Sequence, residues 1–132
     1  MRIVLAAFAL VGLFAVGGTV NAADRERIDA AELIKRIDAQ DASIIVVDVR
    51  SPEEFEAGHV PGAINIPHTH MPARLSELAP YVEKEIVLYC ESGMRTQQAI
   101  ARMKENGFTR VLHLDGDMAK WRAANRPVAQ GK

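Results

Sequence analysis

Ile44-Ile45-Val46-Val47-Asp48-Val49, followed at once by Arg50-Ser51-Pro52-Glu53-Glu54, passes from one kind of secondary structure to another within two residues. The first six are β-branched except for Asp48 and show no polar alternation, the pattern of a strand covered on both faces. Ser51 then stands as N-cap, Pro52 occupies the first helical position and Glu54 closes a capping box. A buried strand that runs straight into a helix is half of a parallel crossover unit, and the remaining chain repeats the alternation. Asp29 caps a helix carrying Leu33, Ile34 and Ile37 at helical spacing. Ala63-Ile64-Asn65-Ile66 predicts a short strand between prolines, and Arg74–Leu78 one or two helical turns. Glu85–Tyr89 predicts the next buried strand, a helix follows from about Arg95 to Asn106 with Gly107 beyond its end, Val111–Leu114 is a further strand, and Lys120–Ala124 a last short helix. The expected class is α/β, with a central parallel sheet flanked by helices in three layers.

Outward from this core, residues 1–22 contain no Asp or Glu, a single Arg at position 2, and an apolar run from Ile3 to Val20. This is the profile of a secretory signal peptide, with Val20-Asn21-Ala22 placing modest side chains before a cut after Ala22. The run also reaches the lower length limit of a bilayer span, which makes a retained anchor the competing reading. The expected organisation is a signal peptide over 1–22 and one domain over 23–132, exported to the periplasm without stable membrane insertion. The whole chain has 132 residues, 16 Lys and Arg against 17 Asp and Glu, 48% apolar and 25% charged residues. That describes one compact core. A near-neutral balance without a basic run disfavours a nucleic-acid partner, since such binding relies on displacing counterions.

The one cysteine, Cys90, excludes an intramolecular disulfide. It follows the strand Glu85–Tyr89, and in open parallel sheets ligands bind where loops leave the carboxyl ends of strands. The loop Glu91-Ser92-Gly93-Met94 leads from it into a helix. Backbone amides there can curl around the sulfur, Gly93 permits the turn, and Arg95 with the helix N-terminus favours the thiolate, the attacking form. A buried structural cysteine at a strand end is the competing reading.

Val46 to Pro67 (V-V-D-V-R-S-P-E-E-F-E-A-G-H-V-P-G-A-I-N-I-P), Val87 to Arg95 (V-L-Y-C-E-S-G-M-R) and the approach to Trp121 resemble the rhodanese family of sulfurtransferases. The resemblance runs from about Ile28 to Pro127. It implies a rhodanese-like three-layer fold and ping-pong chemistry. A small donor such as thiosulfate leaves its outer sulfur on Cys90 as a persulfide, and a thiophilic acceptor such as cyanide, a small thiol or a protein thiol removes it. It further implies Cys90 and Arg95 as catalytic residues and Glu91, Ser92, Gly93, Met94 and Arg95 as the anion-cradling loop. Asp48, Arg50 and His59 become supporting residues, the first two as an ion pair beneath the site. No cofactor and no metal is implied. Two departures stand out: Glu91 places a carboxylate beside an anion-binding loop, and Asp115-Gly116-Asp117 stands where the family usually has two consecutive glycines.

Cell-cycle-type dual-specificity phosphatases and related arsenate reductases resemble this fold but place five residues between Cys and Arg, against four between Cys90 and Arg95. A cradle shorter by one residue fits a tetrahedral phosphate poorly. A module that carries a persulfide without turnover, or only binds a partner, is the alternative of a different class. His68-Thr69-His70, with His59 and His113, raises a metal reading that lacks the four ligands of a structural zinc site.

Overall fold

A computed structural model describes residues 25–132 together with Gly17, so the expected signal peptide lies outside the described residues. Five strands form one sheet: β1 (Arg27–Ile28), β2 (Ile44–Asp48), β3 (Ile64–Asn65), β4 (Glu85–Tyr89) and β5 (Val111–Leu114). Their order is β1-β5-β4-β2-β3 and every pairing is parallel. The helices are α1 (Ala30–Asp38), α2 (Pro52–Ala57), α3 (Met71–Arg74), α4 (Met94–Glu105) and α5 (Asp117–Ala123).

The unalternating apolar strands are explained by two cores, one on each face. Val46, Val87, Tyr89, Leu112 and Leu114 pack with Leu33, Phe55, Met118 and Trp121 on one side. Val47, Ile86, Leu88, Cys90 and Val111 pack with Met71, Ala99 and Met103 on the other. Successive residues of each strand point to opposite faces, so both faces must be apolar when both are covered.

Local chemistry sets the strand-to-helix turns. Ser51 accepts the Glu54 amide at 3.2 Å, and Glu54 accepts the Ser51 amide in return, closing the expected box. At α1 the Asp29 carboxylate accepts the Glu32 amide at 2.7 Å. Elsewhere the expected boundaries move. The last helix begins at Asp117 rather than Lys120: the Lys120 amide donates to the Gly116 carbonyl at 3.1 Å, and the carbonyls of Cys90 and Glu91 accept the first-turn amides of Met118 and Ala119. Between Pro67 and Val82 the chain makes 3-10 turns at His68–His70, Leu75–Glu77 and Ala79–Tyr81 around α3 (Met71–Arg74), where the sequence predicts one or two helical turns over Arg74–Leu78. The prolines in that segment lack the amide a longer helix needs. Strand β1 has two residues and no sequence pattern of its own; it is defined by pairing with β5, Arg27 against His113 and Ile28 against Leu114.

Chain order and spatial order diverge between β2 and β4, and this positions the site. After β2 the chain passes to α2, whose Phe55 belongs to one core, while after β4 it passes to α4, whose Ala99 and Met103 belong to the other. Adjacent strands whose exits leave to opposite faces open a crevice at their carboxyl ends. Cys90 lies there. Among the described residues no helix is long and apolar enough to cross a membrane.

The crevice is braced by Tyr89. Its side chain is fully buried and its hydroxyl accepts the Val60 amide at 3.0 Å, tying the segment after α2 to the central strand. Burial, chiefly, pushes the Tyr89 hydroxyl's pKa far above its ordinary value, so it acts only as a neutral group. Tyr89→Phe leaves the Val60 N–H buried without a partner and is expected to cost about 1–3 kcal/mol in urea unfolding with an unchanged m-value. A loss within error of zero would show that the amide finds water.

Candidate active site

The loop after β4 bends so that the Gly93 amide donates to the Cys90 sulfur at 3.0 Å. Gly93 has φ +114°, and a Cβ there would come within 3.1 Å of a carboxylate oxygen of Asp117 and 3.2 Å of the His113 ring. Both conformation and space therefore require glycine at this position. The loop is fixed from behind by α5, whose Met118 and Ala119 amides donate to the carbonyls of Cys90 and Glu91 at 3.0 and 3.1 Å. Cys90 itself is 1% exposed, with its sulfur held between this amide and the Asp117 carboxylate. Ser92 and Met94 are exposed, Met94 at 73%, and form the rim rather than the cradle.

Arg95 lies in the first turn of α4, but its guanidinium is engaged across the crevice. Nη1 and Nη2 donate to the two carboxylate oxygens of Glu54 at 2.7 and 3.0 Å. This pair joins the first turns of α2 and α4, and the Arg95 hydrogen bonds, together with the Ser51 amide, hold the Glu54 carboxyl down to a pKa of about 2. Glu91 is directed to Arg122, with Arg50 also 3.6 Å away, and not to Arg95. Its charge is thus balanced outside the cradle. Arg50, Glu54, Glu91 and Arg122 border a cleft of about 510 Å³ beside the loop.

Asp48 and Arg50 form a buried pair. Asp48 accepts the Arg50 amide at 2.8 Å and its guanidinium Nη2 at 2.7 Å, and Nη2 also donates to the Gly58 carbonyl at 2.7 Å. The Arg50 guanidinium lies 5.7 Å from the Tyr89 ring centroid. His59 is spent elsewhere: its ring stacks on Phe55 at 3.7 Å, its Nδ1 meets the Phe55 carbonyl at 2.7 Å, and its backbone pairs with Ala129. It anchors the C-terminal segment. His68 and His70 lie on the 3-10 turn after β3, and among the described residues no group of three or more metal-ligating side chains comes together.

Sequence reading missed one group at this site. Asp117, 3% exposed, places Oδ1 3.7 Å from the Cys90 sulfur. The same oxygen accepts the Cys90 amide at 3.0 Å and the Thr96 hydroxyl at 3.2 Å, while His113 Nε2 lies 3.0 and 2.9 Å from the two oxygens. Burial raises the carboxyl's pKa, but donation from His113, the Cys90 amide and Thr96 outweighs it, and the pKa falls below the ordinary value. The signal available in the sequence was Asp115-Gly116-Asp117, where the resemblance leads one to expect two consecutive glycines; it reads as a loss of backbone freedom and not as a gain of a carboxylate.

Comparisons with known proteins establish the family. The Rhodanese-like domain family model matches residues 29–124, and the chain belongs to that family. It is 35% identical over 101 residues to a sulfurtransferase of Allochromatium vinosum, spanning 76% of this chain and 92% of that one. It is also 35% identical over 108 residues to a tRNA uridine(34) hydroxylase of Salmonella newport, spanning 79% of this chain but 30% of that much longer protein. Among solved structures, the BH2092 protein of Bacillus halodurans superposes with a TM-score of 0.72 at 33% identity, covering 80% of this chain and 77% of its own.

The Glu54–Arg95 pair gives a pH signature. Glu54 ordinarily titrates near 4.5 and here near 2. A carboxylate with a depressed pKa contributes stability that is complete above the unfolded value and is lost as pH falls through the folded one. Because the pair is about one-third exposed, the contribution is discounted to about 1 kcal/mol or less. Glu54→Gln is expected to lower stability at pH 7 by that amount, and the gap to wild type should close between about pH 4.5 and 2 in urea titrations. A gap that stays constant with pH would assign it to the lost cap.

Proposed function

We propose that the protein is a sulfurtransferase that carries sulfane sulfur as a persulfide on Cys90. Thiosulfate or a related small donor supplies the sulfur, and a thiophilic acceptor such as cyanide, a small thiol or a protein thiol removes it. The carrying observation is the Cys90 sulfur at the switch point of the sheet, accepting an amide from its own loop at 3.0 Å. A sulfur stabilised by fixed dipoles at a strand end holds either a thiolate or the terminal charge of a persulfide without reorganising its surroundings. The chain's match to nearly the full length of a sulfurtransferase supports the same reading.

In the first half-reaction the Cys90 sulfur attacks the outer sulfur of the donor. For thiosulfate the S–S bond breaks and sulfite departs with its electron pair. In the second, the acceptor attacks the outer sulfur of the persulfide, and the pair of the Sγ–S bond returns to Cys90. Arg95 is the cation for an anionic donor, and engaging it means sharing or exchanging Glu54. Glu91 opposes anions less than its position suggests, because Arg122 and Arg50 offset it. Exposed Met94 offers the acceptor an apolar rim. Residues 1–22 further support export to the periplasm with cleavage after Ala22.

Incubation with thiosulfate should add the mass of one sulfur to the intact protein, removable by cyanide. Cys90→Ser should abolish both loading and thiosulfate-to-cyanide turnover with little change in folding. Retained turnover in that variant would refute the assignment, and loading without multiple turnover would identify a carrier. Arg95→Ala should cut the rate with thiosulfate by about 100- to 1,000-fold, in line with loss of one charge-stabilising donor, and affect a neutral persulfide donor much less. Equal loss with both donors would assign Arg95 to loop architecture.

A further inference from the structure

The reading above gives no role to the carboxylate beneath the sulfur. Asp117 is buried and lies against Cys90. Its Oδ1 is within reach of the sulfur at 3.7 Å, and its other contacts are all donors: the Cys90 amide, the Thr96 hydroxyl and the His113 ring. A carboxylate accepts and does not donate, so the His113 nitrogen that faces it carries hydrogen, and so does a sulfur that is bonded to it. The arrangement is a thiol aimed at a base whose ionised form is held by other groups.

We propose that Asp117 is the internal proton acceptor for Cys90, taking the thiol proton when sulfur is loaded and returning it when sulfur is discharged. The proposal rests on the persulfide reading for its reaction and on the Asp117 geometry for its substance. On loading, the Sγ–H proton passes to Oδ1 of Asp117 as Sγ bonds to the outer sulfur of thiosulfate, and sulfite leaves with the electrons of the broken S–S bond. The persulfide anion is left beside a neutral Asp117. On discharge to cyanide, the outer sulfur leaves as thiocyanate, the electrons of the Sγ–S bond return to Sγ, and the proton on Asp117 goes back to it. Charge and protons balance at each step, and the neutral carboxyl spares the persulfide a buried anion in contact with it.

The groups facing this centre come from four elements. Cys90 follows β4, Thr96 and Arg95 belong to α4, His113 to β5, and Asp117 opens α5. Arg95 is neutralised by Glu54. On the outer side of His113, a cleft of about 320 Å³ is bordered by Glu26, Arg27 and Lys104, where Lys104 is 3.3 Å from Glu26.

A thiol with an internal acceptor has a distinctive pH behaviour. Moving its proton to Asp117 changes no net proton count, so the reactive sulfur anion keeps a constant population as pH falls, until the centre takes up one more proton. A thiol that must ionise to solvent loses its reactive form tenfold per pH unit. The experiment is alkylation of the full chain by iodoacetamide, followed by intact mass, between about pH 5 and 8. Wild type is expected to show a flat region below neutrality, whereas Asp117→Asn, which preserves shape, is expected to fall about tenfold per unit. Asp117→Gly accommodates φ +52° without strain and should give the same slope as the Asn variant. Wild type falling tenfold per unit would overturn the proposal and leave Asp117 as a structural pin, and this profile decides by itself if neither variant folds. A Cys90 inert to the reagent in wild type would overturn it as well. Failure of thiosulfate to load sulfur, with the flat profile intact, would instead sink the sulfurtransferase reading and spare the proton acceptor.

Discussion

A single buried carboxylate, that of Asp117, holds the working end of this molecule together. It accepts the amide of Cys90 at the end of β4, the hydroxyl of Thr96 in α4 and the ring of His113 in β5, while its own backbone begins α5. Four elements converge on two oxygen atoms. Removing a carboxylate from water is costly unless its lone pairs are answered, and here they are answered by groups that the loop needs fixed in any case. The contacts that make burial tolerable are therefore the contacts that set the position of the sulfur. The left-handed backbone of Asp117, unusual for a residue with a side chain, is compensated by the same bonds, and aspartate is among the few residues that enter that region at modest cost.

The sheet supplies the frame on which this works. Because β2 and β4 are neighbours whose following helices lie on opposite faces, their carboxyl ends leave an opening that neither helix covers. Asp48 and Arg50 occupy the β2 side as a buried ion pair with a further bond to Gly58, and Tyr89 closes the floor on the β4 side. None of these side chains touches the sulfur. They tie the ends of β2 and β4 to the segment after α2, Arg50 through the Gly58 carbonyl and Tyr89 through the Val60 amide.

Much of this was legible in the sequence where the determinants are local. The unalternating run Ile44–Val49 announced a doubly covered strand, Ser51-Pro52-Glu53-Glu54 announced the helix after it, and Cys90 with Gly93 announced the loop. What escaped is non-local. Glu54 reads as a capping residue from its neighbours and is one, yet its carboxylate also binds Arg95, 41 residues away. Arg95 reads as an open anion ligand for the same reason. Glu91 reads as a carboxylate set beside an anion-binding loop, and Arg122 from α5 supplies its partner. Strand β1 is too short to carry a period, and Asp117 has meaning only once β5 brings His113 beneath the loop. Local pattern fixes where a side chain starts, whereas tertiary packing fixes what it meets.

The charges around the crevice form a closed set, and this constrains what the site can admit. Arg95 is matched by Glu54, Arg50 by Asp48, and Glu91 by Arg122, so a donor anion does not fall into a ready-made excess of positive charge. It must compete with carboxylates already in place. The Arg50 pair is buried and doubly bonded and cannot yield without stranding a charge, whereas Glu54 and Arg95 are about one-third exposed and water can take over either partner. Under the proposed sulfur transfer, an anionic donor would therefore engage the Arg95 side of the loop, away from the buried pair that supports β2. The proposed acceptor, where it is a neutral thiol, would meet no such competition. The two half-reactions of the proposed sulfur transfer would thus make different demands on one opening: the first tests whether Glu54 can be displaced, and the second tests how closely an acceptor can approach a sulfur that the loop keeps almost wholly covered.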